Sequence, residues 1–119
     1  MNIEDFRLYC LAKKGVEESF PFGEQTLVFK VMGKMFALAG LEYESLRVNL
    51  KCDPERVESL REEYPNDILP GYHMSKKHWN TVLFEADLDD RFLCELIDHS
   101  YDLVVQKLPK KVKAELDNI

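Results

Sequence analysis

Residues 26–41, TLVFKVMGKMFALAGL, decide the predicted fold because they have the pattern of two strands joined by a tight turn. Both halves are rich in β-branched, aromatic and aliphatic residues, and Gly33-Lys34 stands between them. Residues 45–51 follow, and their regular alternation of apolar and polar side chains is typical of a strand with one face in solvent. The sequence therefore predicts three consecutive antiparallel strands.

Helix signals flank these strands. Asn2 and Asp53 are good N-cap residues, and Pro54 occupies the first helical position after Asp53. Asp87 is expected to cap the last and longest helix, in which apolar residues recur at helical spacing until Pro109. The sequence therefore predicts three amphipathic helices.

A second hairpin is expected before the last helix. Residues 71–74 would pair with residues 78–84 if residues 75–77 form the bend. The predicted fold class is α+β: a two-layer sandwich of an antiparallel sheet with helices on one face, in the order α-β-β-β-α-β-β-α, as one domain over residues 1–119. The opposite face of the sheet is then free to meet solvent or a partner.

Composition excludes several classes of protein. The 119 residues are 45% hydrophobic and 32% charged, as in an ordinary globular domain. The sequence contains no apolar run of about 18 residues and has an acidic start instead of a secretory signal, so we expect no membrane association and a cytoplasmic location. Cys10, Cys52 and Cys94 are far apart and include no CxxC pair, which argues against a disulfide framework or a zinc site.

The usual signatures of catalysis are also missing. His73, Ser75 and His78 are close in sequence, but they lack the ligand pairs of a structural zinc site and the nucleophile elbow of a hydrolase. The glycines are scattered, so no phosphate-binding loop is predicted. We therefore expect a protein that is not an enzyme, with no cofactor and no metal.

The charge of the chain is unevenly distributed. The formal net charge is -6, yet the predicted strand regions, residues 21–51 and 71–84, hold six basic and three acidic residues, which leaves -9 for the rest. An acidic helical side and a mildly basic sheet would suit a polyanionic partner. The alternative is that these lysines only keep an exposed sheet edge soluble.

Three segments carry a resemblance to a known family: FPFGEQTLVFKVMGKMFAL (20–38), VNLKCDPERVESLREEYPNDILPGYHMSKKHWNTV (48–82) and LIDHSYDLVVQKLPKK (96–111). Together they resemble the MmcQ/YjbR family of small bacterial proteins over nearly the whole chain. The resemblance implies a secretion-chaperone-like fold and DNA binding by a "double wing" of hairpins. It would place Lys34, Lys76 and Lys77 at the wing tips near phosphates, with His78 and Asn80 supplying hydrogen bonds.

The leading hypothesis is a non-enzymatic binding module for DNA, with weak and salt-sensitive affinity because the pI is near 5.1. The candidate nucleic-acid-binding residues are Lys34, Arg47, Lys51, Lys76, Lys77, His78 and Asn80. The alternative is a protein-interaction or chaperone-like adaptor, which predicts an exposed apolar patch or a dimer. An enzyme or small-molecule binder is a third hypothesis, and it requires a pocket.

Overall fold

The computed structural model describes residues 1–119, and the predicted hairpin forms the middle of its sheet. In chain order the elements are α1 (Ile3–Leu11), β1 (Val16–Ser19), β2 (Thr26–Val31), β3 (Lys34–Gly40), β4 (Arg47–Lys51), α2 (Pro54–Glu63), β5 (Ile68–Pro70), β6 (Trp79–Leu83), α3 (Asp90–Gln106) and α4 (Lys110–Asp117).

The six strands form one sheet in the order β1-β2-β3-β4-β6-β5, and every neighbouring pair is antiparallel. The helices pack on one face, where one large cluster of buried side chains joins them to the sheet. The predicted two-layer α+β class is therefore confirmed. No helix is both long enough and apolar enough to cross a membrane.

The predicted order of elements was incomplete. The structure adds β1 before the hairpin and α4 after Pro109, so the order is α-β-β-β-β-α-β-β-α-α rather than α-β-β-β-α-β-β-α. Strand β1 was missed because its sequence, VEES, has almost no hydrophobic signal. Its backbone pairs with β2 at the sheet edge, and Glu18 accepts a hydrogen bond from Arg7 of α1 at 2.7 Å.

The second hairpin also differs from the prediction. The strand that pairs with β6 is β5, with Ile68 opposite Val82, whereas residues 71–78 form the connection between the two strands. The buried Ile68 side chain, 1% exposed, fixes this register because it faces the core. Gly71 then passes so close to the sheet that a Cβ there would lie 2.8 Å from the carbonyl oxygen of Trp79.

Aromatic packing anchors the first helix. The Phe6 ring of α1 meets the rings of Phe29 and Phe84 edge to face, each with centroids 5.2 Å apart. All three side chains are fully buried. Because edge-to-face pairs add about 0.5–1.5 kcal/mol beyond area burial, this trio strongly stabilises α1 against the sheet.

The long helix α3 lies across the centre of the sheet. It begins after Asp89, two residues later than expected, because the Asp89 carboxylate accepts a hydrogen bond from the backbone nitrogen of Phe92. The buried Ser100 hydroxyl accepts from the nitrogen of Lys51 at 2.9 Å and donates to the carbonyl of Phe36 at 2.5 Å. Ser100 thereby joins α3 to both β3 and β4.

The other face of the sheet carries no helix. Its largest apolar group is a small cluster of Val28, Leu38 and Trp79, against which Met35 and Met74 pack. Strand alternation places Arg47, Asn49 and Lys51 on this same face, because Val48 and Leu50 belong to the helix-side core. We call this surface the open face.

Candidate functional site

Strand pairing gathers four of the predicted residues at one end of the sheet. Strand β3 begins at Lys34, β4 ends at Lys51, and Lys51 lies opposite Trp79, the first residue of β6. Lys76 and Lys77 belong to the turn just before Trp79. Lys34, Lys76 and Lys77 are exposed, and Lys51 is half-buried. We call Lys34, Lys51, Lys76 and Lys77 the basic end.

The positive charge of the basic end is not neutralised by ion pairs. None of its four lysines takes part in a salt bridge. Burial, and then repulsion from Lys107, lower the pKa of the Lys51 ammonium. The Lys51 ammonium also lies over the buried Trp79 ring, 6.0 Å from its centroid. An anion at this end would therefore meet lysines that have no carboxylate partner.

Asn80 lies on the helix-covered face rather than beside the lysines. Its side chain is 2% exposed, and its Oδ1 accepts a hydrogen bond from Arg61 Nε of α2 at 2.7 Å. The amide nitrogen of Asn80 donates to the carbonyl of Val57 at 3.4 Å. The candidate role of Asn80 required an exposed strand face, and that requirement is not met.

Arg61 fixes the turn that carries the exposed lysines. Besides Asn80, its guanidinium donates to the carbonyl oxygens of Trp79, at 3.1 Å, and of Lys76. His78 is half-buried in the same turn, and its backbone carbonyl accepts a hydrogen bond from the backbone nitrogen of Cys52 at 2.8 Å. Sequence reasoning missed Arg61 because a polar residue near the end of an amphipathic helix resembles any solvated position.

Arg47 is separated from the basic end by the length of β4. It lies opposite Gly40 on one side and Leu83 on the other. Four residues of strand, about 13 Å, separate it from Lys51. The seven predicted residues therefore divide into three groups. Four lysines share one end together with the half-buried His78, Arg47 lies at the other end, and Asn80 is buried.

Arg47 lines a groove of about 530 Å³ on the open face. Three connections form its walls: residues 20–25, residues 41–46 and the start of the β5–β6 connection. We call it the open-face groove, and its principal lining side chains are Phe22, Leu38, Tyr43, Arg47, Tyr72 and Met74. No single segment of sequence contains these residues, so pattern analysis could not find the groove.

Hydrogen bonds from the strands hold one wall of the groove in place. The Thr81 hydroxyl donates to Asn49 Oδ1 at 2.5 Å and accepts from the backbone nitrogen of Tyr72 at 3.0 Å. The Asn49 amide nitrogen donates to the Tyr72 carbonyl at 3.2 Å. The next residue, His73, has a φ of 59°, a left-handed conformation that costs free energy for a non-glycine residue. The strands therefore fix this wall through the backbone of Tyr72.

The opposite wall holds the Arg47 guanidinium against an aromatic ring. Arg47 Cζ lies 4.6 Å from the centroid of the Tyr43 ring. Tyr43 in turn rests on Gly40, where an added Cβ would lie 2.9 Å from the ring. Arg47 Nε is buried without a hydrogen-bond partner, and Arg47 forms no salt bridge. This is the one buried side-chain polar atom in the structure without a hydrogen-bond partner.

Fold and surface together define a class: small two-layer α+β proteins with one helix-covered face and one open sheet face. The family model described as YjbR matches residues 11–103. The chain belongs to the YjbR family, as the resemblance predicted.

Relatives and solved structures agree with this membership. The uncharacterized protein YjbR of Escherichia coli (strain K12) is 34% identical over 111 residues, 93% of each chain. The uncharacterized protein YbdF of Escherichia coli O157:H7 is 41% identical over 96 residues, 81% of this chain and 78% of YbdF. The crystal structure of Deinococcus radiodurans protein DR2400, described by the family domain DUF419, superposes with a TM-score of 0.91 at 42% identity, covering 98% of this chain and 88% of DR2400. A crystal structure from Pseudomonas syringae gives a TM-score of 0.71 at 29% identity, covering 87% and 98% of the two chains.

Proposed function

We propose that this protein is a non-enzymatic binding module that binds nucleic acid through its basic end. The observation that carries the proposal is the convergence of Lys34, Lys51, Lys76 and Lys77 from three separate segments on one end of the sheet, without a salt bridge to any of them. The Lys76 ammonium donates to the carbonyl of Gly71 at 3.1 Å and keeps two further N–H donors. Lysines without carboxylate partners can contact phosphates. We place this activity in the cytoplasm, because all three cysteines are free and thiols stay reduced in that compartment.

The strength of binding follows from the number of contacts. Four phosphate contacts on duplex DNA give a slope of about -3.6 for log K against log salt, so affinity falls about a hundredfold between 50 and 200 mM salt. The acidic helical side opposes approach in other orientations, because the whole chain has a net charge of -6. Binding is therefore weak at physiological salt and oriented by the basic end.

A salt-dependent titration of a fluorescent 20-base-pair duplex, followed by anisotropy, tests the proposal. The double variant Lys76→Glu/Lys77→Glu should lose at least about tenfold in affinity at low salt. The control is Arg91→Glu, a charge reversal at an exposed residue of α3 that follows the opposite end of β6. Equal losses in both variants, or no binding at low salt, would contradict the proposal.

A protein-interaction adaptor is the second candidate, favoured by apolar side chains at the other end of the sheet. Phe20, Phe22 and Leu41 are 50%, 64% and 39% exposed, and the connections that carry them are joined by a hydrogen bond from Leu41 N to Gln25 O at 2.8 Å. Such a patch suits self-association. Sedimentation velocity should then show a dimer that Phe20→Ser dissociates, and a monomer at every concentration would exclude self-association through this patch.

A further inference from the structure

We propose that the open-face groove is a binding site for a small monocarboxylate with a flat apolar body, in which the carboxylate pairs with the Arg47 guanidinium. The site is distinct from the basic end and goes beyond the proposed nucleic-acid binding. The groove volume, about 530 Å³, lies within the range typical of small-molecule sites.

The unpaired Arg47 indicates the charge of the ligand. A guanidinium has five N–H donors, and a buried donor without an acceptor is a rare and costly arrangement in proteins. Arg7 and Arg56 form salt bridges with glutamates, and Arg61 has three acceptors, whereas Arg47 has only the Tyr43 ring on one side. Arg47 is half-buried and lines the groove, and no nitrogen of its guanidinium has a hydrogen-bond acceptor. A carboxylate in the groove fits the end of a guanidinium with two parallel hydrogen bonds.

The surroundings favour a single negative charge over a phosphate. Arg47 is the only lysine or arginine among the lining residues, and Glu42 lines the same groove. Every helix packs on the opposite face, so no helix N-terminus points into the groove to stabilise a phosphate dianion. Arg47 can pair with the single charge of a ligand carboxylate, whereas a second negative charge would meet Glu42 and no second lysine or arginine.

The rest of the lining indicates a flat apolar body. Leu38 is part of the buried cluster of the open face, and Met35 and Met74 pack against that cluster while also lining the groove. Phe22 and Tyr72 line the groove and are 64% and 57% exposed. The Tyr72 ring packs against His73 with centroids 4.0 Å apart, and the exposed Phe22 ring is available for stacking.

The polar groups of the floor are already occupied. Asn49 and Thr81 bond to each other and to the Tyr72 backbone, which leaves them committed to the wall. Thr26 and His73 also line the groove without a side-chain hydrogen bond, so polar recognition of a ligand falls on Arg47 with these two as neutral supplements.

A titration with 2-naphthoate, followed by amide shifts in ¹⁵N NMR spectra, tests this assignment. Saturable shifts are expected for amides around Leu38, Arg47 and Tyr72, while uncharged 2-naphthamide should bind at least about tenfold more weakly. Arg47→Met should weaken naphthoate binding by a similar factor, and Arg91→Met, the same change at an exposed position without a salt bridge, should not.

Further measurements distinguish the open-face groove from the basic end, and a carboxylate ligand from a phosphate ligand. Arg47→Met should leave the urea midpoint of unfolding unchanged or raised, because it removes a buried donor that has no partner. Lys76→Glu/Lys77→Glu should bind naphthoate normally even if nucleic-acid binding fails. Absence of saturable shifts up to about 10 mM naphthoate, undiminished binding by Arg47→Met, or much tighter binding of naphthyl phosphate would each overturn the assignment.

Discussion

Arg61 connects α2 to the turn that carries two of the exposed lysines, and its replacement by methionine tests how that turn is held. The Arg61 guanidinium donates to the Asn80 side chain at 2.7 Å, to the Trp79 carbonyl at 3.1 Å and to the Lys76 carbonyl. Arg61→Met keeps an unbranched side chain against the sheet and removes every donor. The variant thus isolates the polar contribution from the packing.

The expected loss of stability in Arg61→Met depends on how deeply the acceptors of its hydrogen bonds are buried. Asn80 is 2% exposed, so its Oδ1 would lose the Arg61 donor where water cannot easily replace it. A hydrogen bond to a charged group contributes about 1.5–3 kcal/mol, whereas the bond to the exposed Lys76 carbonyl is readily replaced by water. We expect the free energy of unfolding to fall by about 2–3 kcal/mol. With a urea m-value of about 1.5 kcal/mol/M, the midpoint falls by about 1–2 M.

Urea unfolding followed by the fluorescence of Trp79, the single tryptophan, measures this change. Arg91→Met is the matched control and should lie within about 0.5 kcal/mol of the parent protein. Adding Asn80→Leu to Arg61→Met should recover part of the loss, because it removes the unpaired amide. A loss below about 0.5 kcal/mol for Arg61→Met would refute the reasoning.

Two further predictions concern buried ionisable groups. His99 Nε2 accepts a hydrogen bond from the backbone nitrogen of Asp53 at 3.1 Å, and burial, then Arg56, lower the pKa of His99. The unfolded chain then binds the proton more readily, so the His99 contribution to stability is present above pH about 6.5 and is lost as pH falls through the folded-state pKa. Urea midpoints between pH 7 and 5 should fall less steeply in His99→Gln, and identical slopes would contradict this. Burial raises the pKa of Cys10 to about 12 and of Cys52 to about 11, so both thiols should resist iodoacetamide at pH 8 until urea unfolds the chain. Labelling of either within minutes in the native protein would be inconsistent with their burial.

Local pattern was sufficient to predict the strongest elements of the fold. Strands β2 and β3 and helix α2 follow from hydrophobic content, turn residues and the Asp53-Pro54 cap. In the second hairpin, Pro70 was predicted to lie in a loop and Gly71 to begin the strand. The structure places β5 at Ile68–Pro70 instead, because the Ile68 side chain is buried in the core. Where several short segments compete to pair, tertiary burial decides and local propensity does not.

The same limit explains the candidate site. Lys76 and Lys77 were correctly placed on a turn, since charged turn residues need no tertiary context to be exposed. The face of Asn80 could not be inferred, because residues 79–82 of β6 are buried on both sides of the strand and give no alternation. The open-face groove could not be predicted from the sequence for another reason. Its walls include Phe22, Tyr43 and Tyr72, which are far apart in sequence and meet only in the folded chain.

The basic end is the central claim, and amide shift mapping with duplex DNA tests it most directly. At low salt, a short duplex added to ¹⁵N-labelled protein should shift the amides around Lys34, Lys51 and residues 75–78, and about 200 mM salt should reverse the shifts. Amide shifts at the start of α3, which follows the opposite end of β6, should remain unchanged. Shifts centred on the helices, or none at low salt, would contradict the claim.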